Sequence, residues 1–225
     1  MVTIIFFLLG GIYGYLVLRE GIHAVKNGFF NLSNVLLLVL AGLVYDNLVI
    51  GLGRFFGKGN LLLTLSYPRY WLHALTTPLL LLFGWNDYEK TVHSTRAIWR
   101  WLAFLLTAAL IFDEWYTTVR SIQLKPVRHG GILVYEQADG RDFPLMILFL
   151  LLYLGIIGFL LKKKVRFPWL LIGVFLMAAG GALSLWRNAF PAINLVELVF
   201  VLTLVKTRHF QFRHQKRLPA LPGRR

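Results

Sequence analysis

The sequence predicts an all-α, polytopic integral membrane bundle of about seven transmembrane helices. Three observations predict it. Hydrophobic residues make up 57% of the 225-residue chain and charged residues only 15%, and the mean hydropathy is +0.64, far from the composition of a soluble domain. The apolar residues are gathered into runs, each close to the roughly 20 residues needed to cross a hydrocarbon core of about 30 Å. The links between most runs are short, as antiparallel neighbours in a bundle require.

Taken in order, the spans fall at Val2–Leu18, Val35–Leu52, Tyr70–Trp85, Ile98–Thr117, Phe143–Leu161, Phe167–Trp186 and Ala192–Val205. The first has no basic lead-in and no small-residue cleavage site, so it is expected to be a retained helix. The third is short and carries Pro78, so it is expected to tilt, kink, or borrow the preceding Leu61–Leu65 stretch. The sixth carries Gly173 and the run Ala178, Ala179, Gly180, Gly181 and Ala182, a small surface suited to close helix packing within the chain. Trp85, Trp99, Trp101, Trp115, Trp169 and Trp186 stand near span ends, where an aromatic belt belongs. The spans form one domain, residues 1–206, followed by a basic cytoplasmic tail, 207–225.

One connection is long. Thr118 to Asp142 makes an outer loop of about 25 residues, well beyond the usual connection length. Its middle, Leu124 to Glu136, reads as two extended runs joined by Gly130-Gly131, a hairpin-turn signal. Such a loop is expected to be either a lid over a site or a plain surface hairpin.

The net charge of +14 is distributed by topology. With the N-terminus outside, roughly two of every three Lys and Arg residues fall on the inner side, including the Lys162–Arg166 run and the tail, as the positive-inside rule demands. This predicts an N-out, C-in protein of the plasma (inner) membrane whose basic segments lie against anionic lipid. A nucleic-acid partner is not expected, because the interleaved aromatics and basic stripe of such modules are missing. The chain has no cysteine, which excludes disulfides, thiolate nucleophiles and Cys-ligated zinc.

Ionisable groups inside spans are costly and mark function by default. At 1.5 Å of rise per residue, Asp46 and Asn47 of the second span, His73 of the third, Asp113 and Glu114 of the fourth, and Asn194 and Glu197 of the seventh reach one layer in the outer half. Arg187 and Asn188 cap the sixth span at that level, and the inner halves read as almost purely apolar. Arg69 and His73 are i,i+4, and Thr76 and Thr77 continue their stripe. Asp113 shares a face with Tyr116, whereas Glu114 stands about 100° away.

The chemistry expected of this set is acid/base: buried carboxylates beside an imidazole supply a general acid and a general base. Asp46, His73, Asp113, Glu114 and Glu197 are the catalytic candidates. Asn47, Arg69, Trp115, Tyr116, Arg187 and Asn194 are the substrate-binding candidates. No cofactor is specified; a divalent metal, were one bound, would take Asp46, His73, Asp113 and Glu197, although no HxxxH, HExxH or DDxxD pattern occurs. The plain alternative is that such groups are hydrogen-bond glue between helices, each worth about 0.6–2 kcal/mol.

In size, helix count and buried acids the chain resembles small seven-helix lipid hydrolases and integral membrane terpene cyclases, without a diagnostic motif of either. The expected function is therefore a membrane-embedded enzyme acting on a lipid or isoprenoid, with membrane lipid or a lipid-like small molecule as partner. The alternatives are an ion- or proton-coupled transporter or channel, and a non-catalytic assembly or receptor-like membrane protein. A transporter calls for polar groups continuing across the membrane and for inverted repeats, and neither is evident. Oligomeric state is left open.

Overall fold

The computed structural model describes residues 2–28, 30–92, 97–138, 145–186 and 190–217. Its elements run α1 (Val2–Asn27), a 3₁₀ turn (Leu32–Asn34), α2 (Val35–Phe56), α3 (Asn60–Thr76), α4 (Leu79–Val92) and α5 (Ala97–Glu114), which continues as a π turn (Trp115–Val119). Strands β1 (Leu124–His129) and β2 (Ile132–Gln137) follow, then α6 (Leu145–Val165), α7 (Trp169–Trp186) and α8 (Ala192–Arg217). Among the described residues, four segments are long and apolar enough to cross a membrane: Val2–Asn27, Leu32–Phe56, Ala97–Val119 and Leu145–Val165.

Helices α3 and α4 behave as one rod bent at Thr77-Pro78. Pro78 has no N–H to give to the turn before it, which breaks the ladder. Thr77 keeps α-helical angles of −62° and −44°, and its N–H still reaches the His73 carbonyl at 3.1 Å. The helix is thus interrupted at Pro78, and the part before it begins at Asn60, so that it includes the Leu61–Leu65 stretch.

The core follows from helical periodicity. Phe6, Leu9, Tyr13 and Leu16 of α1 are buried at spacings of three and four, one stripe of a 3.6-residue helix. They meet Leu36 and Leu40 of α2, Leu81 and Phe83 of α4, Leu150 and Leu154 of α6, and Phe200 and Leu204 of α8 in one continuous cluster. Helix α1 packs along α2, α7 lies between α6 and α8, and α4 touches α6 and α8, whereas α5 is peripheral. Gly173 sits so close to Thr203 of α8 that an added Cβ would collide with its hydroxyl, and one at Gly180 would strike Val196. The small surface of the sixth span is therefore spent, at these two positions, on packing inside the chain.

The long loop forms an antiparallel hairpin with Leu124 opposite Gln137 and His129 opposite Ile132. Gly130 and Gly131 turn it with φ of +56° and +87°, the left-handed pair that a two-residue hairpin demands. The hairpin is docked, not loose. Ile132, Leu133, Val134 and Tyr135 are buried, and the Leu133 carbonyl approaches α2 where only Gly53 leaves room for it.

Helix α8 does not stop at residue 206. It runs to Arg217, and Arg208 and Gln211 are fully buried in the bundle. Residues 218–225 and 139–142, and Phe143, lie outside the described residues.

Candidate functional site

Helices α2, α3, α4, α6, α7 and α8 line a cavity of about 370 Å³, at the small end of the range of ligand sites. Most of its wall is apolar, with Leu43 and Val39 of α2, Leu150 and Leu151 of α6, Met177 of α7 and Phe200 of α8. Its polar wall carries six of the residues expected to share a layer or their immediate neighbours: Asp46, Arg69, Tyr70, His73, Asn194 and Glu197.

Helix periodicity accounts for each. Val39, Leu43 and Asp46 share one face of α2, and Asn194, Glu197 and Val201 share one face of α8. Arg69, His73 and Thr76 form the matching stripe of α3. Arg69 Nε donates to Asp46 Oδ1 at 2.7 Å, a charge-assisted bond that holds two half-buried charges in one orientation. The hairpin completes this wall: the Tyr135 carbonyl accepts from the Tyr70 hydroxyl at 3.1 Å and from Arg69 Nη1 at 3.5 Å. His73 Nδ1 lies 3.2 Å from the Thr77 hydroxyl, which anchors the ring through that nitrogen. Glu197 has no hydrogen bond or ion pair among the described residues. The hairpin is therefore tied to the polar wall by a main-chain acceptor, the Tyr135 carbonyl.

Other expected residues lie elsewhere. Asp113, Glu114, Trp115 and Tyr116 do not line the cavity. Helix α5 is peripheral, and the π turn at Trp115–Val119 rephases the chain, leaving Trp115 47% and Tyr116 54% exposed. Tyr116 is occupied on its outer side by Phe112, stacked at 6.2 Å, and by the Arg120 guanidinium at 5.5 Å. Asn47 is fully buried, but its amide donates to the Leu43 carbonyl at 2.8 Å and its Cβ faces Gly10 of α1; it sits in the α1–α2 contact. Arg187 lies outside the described residues.

Past the ends of the drawn spans farthest from the hairpin, the structure holds a buried polar network that the sequence reading did not anticipate. Arg208 of α8, fully buried, donates through Nη1 to Glu20 Oε2 of α1 at 2.5 Å and through Nη2 to Asn34 Oδ1. His209 Nε2 stands 3.0 Å from both Glu20 carboxylate oxygens. Nearby, Ser33 donates to Asp87, and Asn86 Nδ2 donates to the Ser33 hydroxyl at 2.6 Å. Asn31 Oδ1 accepts from Lys90 Nζ at 2.5 Å.

The signal for this network was present in the sequence. The buried stripe of α1 continues past Leu16 to Glu20 and Ala24, and that of α8 runs from Leu204 to Arg208 and Gln211. Spans drawn to end at Leu18 and Val205 cut both stripes just before their charged members.

The same network contains the trio Glu20, His23 and His209, whose ligand atoms all lie within 4.8 Å of one another. Its geometry fits a structural ion pair better than a metal. The His23 and His209 rings are stacked, 4.8 Å apart and 16° from parallel, so their in-plane lone pairs cannot converge on one ion. Glu20 is already held by Arg208. At the cavity, Asp46 is committed to Arg69 and Asp113 stands outside the lining, so the four-residue metal set does not assemble there.

No family model, no characterised protein and no solved structure matches this chain.

Proposed function

We propose that the protein is a membrane-embedded enzyme that acts on a lipid or isoprenoid substrate by acid/base chemistry. One observation carries this reading: a largely apolar cavity with a single polar wall on which Asp46, Arg69, His73 and Glu197 converge from three helices. The apolar part suits a hydrocarbon chain and the polar wall suits the reacting head. His73 and Glu197 are the proton donor and acceptor, because both face the cavity and neither is consumed by an ion pair. The Asp46–Arg69 pair positions the wall, and Asn194 and Tyr70 orient the substrate.

In this reading the chain crosses the membrane seven times, with α3 and α4 as one crossing. The N-terminus and hairpin are outside, and the C-terminus is inside. The test compares membrane lipid extracts from cells expressing the wild type, Glu197→Gln and His73→Gln. The wild type alone is expected to change the level of a defined lipid or isoprenoid species, by about 100-fold or more over the variants, as loss of an acid/base group entails. Variants that fold normally and retain the full change overturn the reading.

A second reading, a proton- or ion-coupled transporter, gains from the polar network at the opposite end. The chain then has two polar layers with Leu36, Leu40, Leu81 and Leu204 buried between them, so polar groups are not confined to one half. Proton flux into proteoliposomes under an imposed membrane potential, followed with an internal pH dye, favours this reading if Glu197→Gln abolishes it.

A further inference from the structure

We infer that the head group received by the cavity carries no negative charge: it is an amine or an alcohol, not a phosphate or a carboxylate. The inference rests on the cavity being the substrate site proposed above and names the class of substrate it takes.

The argument is one of charge pairing. Arg69 is the sole Lys or Arg among the described residues lining the cavity, and Asp46 neutralises it at 2.7 Å. Its guanidinium also leans on the Tyr135 carbonyl, so it points toward the hairpin and its partner. A phosphate entering this space finds no uncommitted guanidinium or ammonium among the described residues. It does find Glu197, a second carboxylate without a counter-charge. Burying an anion beside an unpaired carboxylate is heavily unfavourable in a low-dielectric site.

An amine or alcohol reverses each of these relations. When Glu197 is ionised, an ammonium supplies the missing counter-charge and a hydroxyl donates to it. When Glu197 carries its proton, it donates to the hydroxyl or amine lone pair. The His73 ring and the Asn194 side chain accept or donate on the same wall, and neither of them adds a fixed positive charge. Arg-rich clamps are the usual solution for phosphate and carboxylate recognition. Here the arginine is spent inside the protein.

The experiment titrates octylamine, octanol and octyl phosphate into purified full-length protein in a non-ionic maltoside detergent. The reference is Leu150→Trp, whose indole occupies the apolar part of the cavity and subtracts partitioning into the micelle. Octylamine and octanol are expected to bind the wild type at least about tenfold more tightly than octyl phosphate. In Glu197→Gln the amine is expected to lose about tenfold in affinity while the alcohol changes little. Octyl phosphate binding as tightly as the amine overturns the inference while leaving the cavity as the site. If no probe distinguishes the wild type from Leu150→Trp, the cavity is not an amphiphile site, and both the inference and the reading beneath it fall. The wild-type ranking decides the matter even where Glu197→Gln folds poorly.

Discussion

Arg208 illustrates what a single side chain does in this protein. It has no exposed surface, yet two of its nitrogens have acceptors on two other segments, Glu20 of α1 and Asn34 at the start of α2. Removing one member of a buried ion pair leaves the other unpaired, which typically destabilises by about 3–5 kcal/mol. Arg208→Ala is therefore expected to lower unfolding stability by about that much, measured by SDS titration in mixed micelles. The double replacement Glu20→Gln with Arg208→Met is expected to recover most of the loss, because no charge is then left alone. Equal or additive losses in the two experiments contradict the pairing. At this scale the sequence was partly legible. Asp46, His73 and Glu197 were conspicuous because each interrupts an apolar run inside a span, in its outer half. Glu20 and Arg208 were hidden because each follows the last residue of a run and resembles an ordinary boundary charge.

At the scale of elements, the hairpin shows why a loop of this length folds at all. Its turn is set by Gly130-Gly131, but a two-stranded hairpin is marginal alone. Burial of Ile132 to Tyr135 and the close approach at Gly53 supply the rest. Gly53→Val is expected to push β2 off α2, because the new side chain takes the volume of the Leu133 carbonyl. The measurement is tryptic cleavage after Arg128 in the folded protein, which should accelerate roughly tenfold if docking loses about 1.4 kcal/mol. An unchanged rate rejects the docked-hairpin description. The interruption at Pro78 was legible, since proline cannot donate to the ladder. That the hairpin lends a main-chain carbonyl to Arg69 and Tyr70 was not, because strand register and a distant helix face must be known together.

For the molecule as a whole, orientation is the open physical question with the simplest test. The chain lacks cysteine, so single reporters can be placed at will. Arg128→Cys in the hairpin is expected to react with a membrane-impermeant maleimide in intact cells, and Lys163→Cys after α6 only once the membrane is opened. The reverse pattern inverts the topology and moves the cavity to the other leaflet. Composition and periodicity alone determined the helical architecture, the hairpin turn, and the positions of Asp46, His73 and Glu197 along their helices, because these depend on local spacing. The tertiary structure alone decided which of them meet. Helix α5 packs at the edge, so Asp113, Glu114, Trp115 and Tyr116 do not line the cavity, while α2, α3 and α8 bring Asp46, Arg69, His73 and Glu197 to one wall. Depth along a helix is a property of sequence position, but rotation about its axis and choice of neighbour come from packing among helices distant in the chain.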